Sequence, residues 1–163
     1  MADARLRQLA EDLRSDREDL DRILQEGAQC LQDLSEREPN YLEIRGAGDI
    51  VHDYYNAIEH FFERVATELN GGLPAGADSQ TQLLRRMARG VEGIRPAVIS
   101  DSLRARLHEY LRFRHLFRHG YGFALDWARL VPLLEQMQSI TADLCAQLDD
   151  FVVTVVSLSD RLD

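Results

Sequence analysis

Residues 126–158 read DWARLVPLLEQMQSITADLCAQLDDFVVTVVSL, and the periodicity of this stretch decides the fold class. Leu130, Leu134, Met137, Thr141, Leu144, Leu148, Phe151, Val155 and Leu158 succeed one another at steps of four and three. Such a step keeps one stripe of side chains on one side of an α-helix, the seam of a helical bundle or coiled coil. The β-branched run at 152–156 favours extended chain by local propensity. It continues the stripe, however, so packing is expected to hold it helical.

Upstream the same period recurs. Leu6, Leu9, Leu13, Leu20, Ile23, Leu31 and Leu34 mark a first long amphipathic helix from Ala2 to about Arg37, broken by Pro39 and Asn40. Ile50, Tyr54, Ile58, Phe61, Val65 and Leu69 mark a second, stopped at Asn70, Gly71 and Gly72. The stretch GGLPAGAD at 71–78 is a loop, and a shorter helix is expected over 79–89. Gly90, Gly93 and Pro96 then interrupt the chain. Ser100 or Asp101 is a fitting N-cap for a fourth long helix carrying Leu103, Leu107 and Leu111, which Gly120 and Gly122 should end. No stretch reads as a strand. The expectation is a single all-α domain over 1–163, an up-down bundle of four long helices plus one shorter. The apolar surface of the first and last helices is enough to expect some of it against a second copy, as a dimer.

Composition narrows the function. At 163 residues with 45% hydrophobic and 29% charged side chains, the chain has the size and balance of one soluble domain. No secretory leader opens it, and its late apolar run is far shorter than a membrane span, so a cytoplasmic protein without membrane contact is expected. Cys30 and Cys145 fit no ligand or redox spacing and are expected to be buried thiols. All 19 cationic side chains are arginine, and the net charge of −9 argues against a protein that coats nucleic acid. The charge is uneven, because 85–118 carries nine arginines against three acidic residues. One basic patch on an acidic body suits a small anionic site, or an acidic partner.

The richest chemistry lies in LRFRHLFRHGYGFALDW at 111–127, where Arg114, His119 and Tyr121 spell R-x-x-x-x-H-x-Y. Arginine is a fixed cation suited to phosphate oxygens, and histidine moves protons near neutral pH. Together they are the minimum for cutting RNA without a metal. Phe113, Leu116, Phe117, Tyr121 and Phe123 interleave with the charges, so the motif should sit on a partly buried helix end where an arginine needs a partner.

This motif near the end of a late helix resembles the HEPN superfamily, and more narrowly the HepT-type ribonuclease toxins. RFRHLFRHGYGFALDW at 112–127 and HDYYNAIEHFFERVA at 52–66 both resemble that group. The resemblance implies a metal-independent endoribonuclease, with no cofactor, acting as a homodimer with two motifs facing one cleft. Carried onto this chain, Arg114 would hold the scissile phosphate of RNA, and His119 would act as general base or acid for attack by the 2′-OH. Tyr121 resembles the tyrosine to which a cognate nucleotidyltransferase antitoxin transfers AMP, in a type VII-like toxin–antitoxin pair. The alternative is a non-catalytic helical module that binds a nucleotide or a partner protein.

Helix geometry qualifies the site. Five residues turn through about 500°, so Arg114 and His119 point about 140° apart on a straight helix. They converge if the helix unwinds near Gly120, or if one protomer's Arg114 serves the other's His119; a composite dimer cleft is favoured. Arg118, four residues from Arg114, is a second phosphate-binding candidate, and His115 is taken as structural. Asn56, on the second helix with Asp53 and Glu59, could reach the cleft, or belong to a solvated face or a capping network. His115 and His119 have zinc-binding spacing but lack a completing Glu or Cys, so no metal is expected. Arg85, Arg86 and Arg89 read as a surface face that could steer RNA.

Overall fold

A computed structural model describes residues 2–69, 71–120 and 125–159. Five helices follow in order: α1 (Ala2–Asp33), α2 (Tyr41–Leu69), α3 (Ser79–Met87), α4 (Asp101–His119) and α5 (Trp127–Ser159). Among the described residues the one β-type pairing is an isolated antiparallel bridge between Val91 and Arg95. The architecture is therefore an all-α bundle of four long helices and one short.

The seam of α5 behaves as its period dictates. Every seam position from Leu130 to Val155 is buried, and Ile140 fills the stripe between Met137 and Leu144. The run at 152–156 is helical. Leu9, Leu13, Leu20 and Ile23 of α1 are buried against α2 and α5. The apolar surplus expected on α1 and α5 for a second copy is thus largely consumed inside the chain. Val153 is the large apolar side chain left exposed on α5 among the described residues.

α2 is the axis and packs against all four other helices. It begins at Tyr41, well before the apolar pattern does. The Glu43 N–H donates to Asn40 Oδ1 at 3.0 Å and the Asn40 N–H donates to Glu43 Oε2 at 2.9 Å, a reciprocal cap. Arg37 pairs with the same carboxylate, and these donors hold the Glu43 pKa at about 2. Tyr41 and Leu42 in this first turn are largely exposed, which is why hydrophobic periodicity does not report it. Further along, Gly48 lets the end of α4 approach. A Cβ there would lie 3.1 Å from both Phe117 Cε2 and Leu125 Cδ1.

α4 starts where its sequence says it should, with the Ser100 hydroxyl accepting from the Leu103 N–H at 3.1 Å. It ends at His119, with Gly120 following. α3 stops at Met87, two residues short of expectation, because the carbonyls of its last turn are drawn to the loop. The Val98 and Ile99 N–H groups donate to Met87 O, and the Arg95 guanidinium donates to Arg86 O and Arg89 O.

Candidate functional site

The last turns of α4 present two opposite faces. Arg114 points inward and is 1% exposed. Its Nη1 donates to Asn56 Oδ1 at 2.8 Å and Glu59 Oε1 at 3.0 Å, and its Nη2 donates to Glu59 Oε2 at 2.8 Å. The guanidinium carbon lies 4.8 Å from the centre of the Tyr55 ring, so the cation also meets an aromatic face. A buried guanidinium needs its donors satisfied, and a forked carboxylate partner also compensates its charge. The Arg114 Nε is buried without a hydrogen-bond partner among the described residues.

Helix geometry puts His119 elsewhere. His115, Arg118 and His119 are all exposed, and the two imidazole rings approach to 4.7 Å between centroids. The opposite placement of Arg114 and His119 follows from their five-residue spacing. The phosphate contact anticipated for Arg114 is therefore not available to it in this arrangement, since both Nη atoms are engaged and almost no surface is exposed. Arg118 is the solvent-facing arginine of the motif. His115, expected to be structural, instead shares the exposed face with His119. Asn56 belongs to the site as a partner of Arg114. Tyr121 lies outside the described residues.

A chain of polar contacts leads from the buried arginine to the surface of α2. Asn56 Nδ2 is 3.3 Å from His52 Nδ1, which is 3.2 Å from Asp53 Oδ1. One ring nitrogen cannot both accept from Asn56 and donate to Asp53, so the two contacts belong to different protonation states or tautomers. The His52 ring packs on Phe117, 5.3 Å between centroids, which ties this chain to the motif helix. Among the described residues, Asp49, His52 and Asp53 each offer one atom within 4.8 Å of the others, a grouping that could ligate a cation. Two of the three are exposed carboxylates, and the Nδ1 of His52 already serves the polar chain.

Glu59 is the residue whose role the sequence left open, because it read equally well as part of a solvated face. Its signal was the three-residue spacing from Asn56 within an otherwise aromatic stretch. Two surface hollows flank the motif. A groove of about 690 Å³ between α4 and α5 is lined by Phe113, Leu116, Leu125, Arg129 and Pro132 among others. A smaller one of about 340 Å³, toward α3, is lined by His108, Arg112 and His115 together with Gln80 and Thr81.

A family model described as HepT-like protein matches residues 46–155, well over half of the chain. The matched span contains α3, α4 and nearly all of α2 and α5, including every partner of Arg114 named above. No curated protein and no solved structure gives a match. No helix among the described residues is long and apolar enough to cross a membrane.

Proposed function

The chain belongs to the HepT-like protein family, and from that premise we propose that it is a metal-independent endoribonuclease toxin cutting RNA at a cleft between two copies of itself. One observation carries this. At the end of α4 a guanidinium is locked inside the fold, while two imidazoles and a second guanidinium stand exposed above it.

In the reaction, His119 takes the proton of an RNA 2′-hydroxyl. The 2′-oxygen attacks the adjacent phosphorus and the bond to the 5′-oxygen breaks. The products are a 2′,3′-cyclic phosphate and, after protonation, a 5′-hydroxyl. His115, whose ring abuts His119, is the group available to supply a second proton to the leaving 5′-oxygen, while His119 keeps the one it took. Arg118 meets the phosphate and stabilises the charge of the phosphorane. Arg114 sets the position of the helix end through Glu59 and Asn56, and would touch phosphate only if the Glu59 pair opened. The second copy docks along the groove between α4 and α5, where Leu116 is exposed beside the motif. AMP transferred to Tyr121 by a nucleotidyltransferase antitoxin would add bulk and negative charge where the substrate phosphate must sit.

The test is expression of the wild type and of His119→Ala in cells lacking the antitoxin, with growth and RNA integrity followed. Wild type should arrest growth and fragment RNA, and the variant should do neither. Cleavage should fall by about 10²- to 10⁴-fold in the purified variant and should survive EDTA. Harmless wild type with intact RNA would sink the proposal. It would favour a non-catalytic binding module, to which the commitment of Arg114 to Glu59 also lends support.

A further inference from the structure

Beyond the groove that the first turn of α3 shares with His115, the outer face of α3 and the turn that follows border a hollow of about 560 Å³. Gln82, Arg85, Arg86 and Arg89 line one side, at helical spacings of three and four. Gly90, Val91 and Ile94 line the other. The three arginines are exposed, and none of their guanidinium groups makes a hydrogen bond or ion pair among the described residues. Arg17, Arg64, Arg104 and Arg106 have carboxylate partners, whereas Arg118 and Arg129 share the unpartnered state among the described residues. Among the described carboxylates, that of Asp101 is close enough to feel Arg89. Arg89 helps to lower its pKa, but its main partner is Arg104 at 2.6 Å. Glu92 stands on the adjoining rim.

The hollow is built rather than incidental. The turn is closed by Val91 N–H to Arg95 O at 2.8 Å and Arg95 N–H to Val91 O at 3.0 Å, with Gly93 at φ 72°. Below it the buried Arg95 guanidinium donates to Arg86 O, Arg89 O and Pro96 O. The carbonyls that would otherwise draw the surface arginines back onto the helix end are thereby occupied. Ile94, 57% exposed, adds an apolar shelf at the edge.

We propose that this hollow is a phosphate-binding subsite for single-stranded RNA, holding the backbone of the strand at a distance from the motif at the end of α4. Guanidinium forks suit phosphate oxygens, and the shelf gives a base or ribose an apolar surface. The hollow reaches from Gln82 to the start of α4, where Arg89 acts on Asp101, and His119 closes that helix. At 1.5 Å per residue α4 is about 27 Å long, so a strand running from the far rim to the motif covers up to roughly eight stacked nucleotides at about 3.4 Å each. The subsite rests on the ribonuclease proposal for its ligand, though not for its binding chemistry.

The test measures binding of 2′-O-methyl RNA, which lacks the attacking hydroxyl and stays intact on wild-type protein. Oligomers of about three and about twelve nucleotides are compared, the longer one exceeding the eight-nucleotide span. The variant carries Arg85→Ser, Arg86→Ser and Arg89→Ser together, all at exposed positions, and unchanged circular dichroism and Tm verify its fold. The longer oligomer should bind at least about tenfold more weakly to the variant, and its salt slope should fall by about 2, at about 0.7 for each phosphate left unneutralised. The trinucleotide, too short to engage the hollow and the motif together, should lose less affinity than the longer oligomer. Equal affinity and slope for the longer oligomer would overturn the subsite. So would a loss confined to a poly-glutamate peptide, which would make the hollow a docking site for an acidic protein. RNA binding lost in the variant while wild type cuts no RNA would retain the subsite and remove the nuclease.

Discussion

The pair formed by Arg114 and Glu59 concentrates the cost and the specificity of the fold in two side chains. Removing one partner leaves the other charged and buried, which costs roughly 3–5 kcal/mol, whereas replacing both by apolar groups of similar size is often neutral. Glu59→Ala and Arg114→Ala should each lower the denaturant midpoint strongly, and Glu59→Leu with Arg114→Met should recover most of the loss. Equal destabilisation by the double replacement would mean that the pair contributes more than charge compensation. Arg114→Lys separates position from stability, because lysine keeps the charge but lacks the fork that engages Glu59 and Asn56 together. Cleavage should fall through kcat with KM little changed. A large rise in KM would instead mark Arg114 as a direct substrate contact.

Helix contacts are where two glycines should give opposite results. Gly27 lies inside α1, and a Cβ there would meet the Cε of Met137 at 3.2 Å, the far end of a flexible side chain. Gly27→Ala should therefore stabilise by about 0.5–1 kcal/mol through helix propensity. At Gly48 the Cβ would press on Leu125 and on Phe117, whose ring is packed by His52 and Phe113. Gly48→Ala should destabilise by about 1–3 kcal/mol and shift the last turn of α4, read by urea unfolding and by the His119 resonances. Stabilisation at both sites would show that Phe117 has room to move.

The same elements show what sequence could report. The stripe of α5 and the Ser100 cap were legible because each depends on local spacing. The start of α2 at Tyr41 was not, since its first turn exposes Tyr41 and Leu42 and only half-buries Ile44, so the apolar stripe does not reach it. The inward turn of Arg114 was legible as a need for a partner. Which side chain would meet that need depended on how α2 and α4 rotate against each other, and no local pattern in either helix fixes that.

At the scale of the whole molecule, α2 brings Tyr54 and Tyr55 into the centre, with Tyr110 of α4 against Tyr54. Burial pushes all three phenols well above the ordinary tyrosine range. A folded-state pKa above the unfolded value gives stability that is complete below about pH 10 and lost as pH rises beyond it. Unfolding should therefore set in at alkaline pH, with tyrosinate absorbance appearing together with loss of helicity. Ionisation of all five tyrosines near pH 10 with helicity intact would contradict this.

Assembly poses the last question, because a buried Arg114 and an exposed His119 allow different divisions of a shared cleft. If each site takes Arg118 from one copy and His119 from the other, an equal mixture of Arg118→Ala and His119→Ala proteins forms hybrids in which one of two sites is intact. Hybrids make up about half of the dimers, so roughly a quarter of the wild-type cleavage rate should return. Mixing Arg114→Ala with His119→Ala should behave differently. The hybrid's intact His119 then belongs to the copy whose α4 end has lost its anchor on Glu59, and no rescue should follow. Rescue in this second mixture would mean that the Arg114 guanidinium leaves Glu59 and crosses to the partner's His119. Failure in both mixtures would place Arg118 and His119 of one copy at the same phosphate.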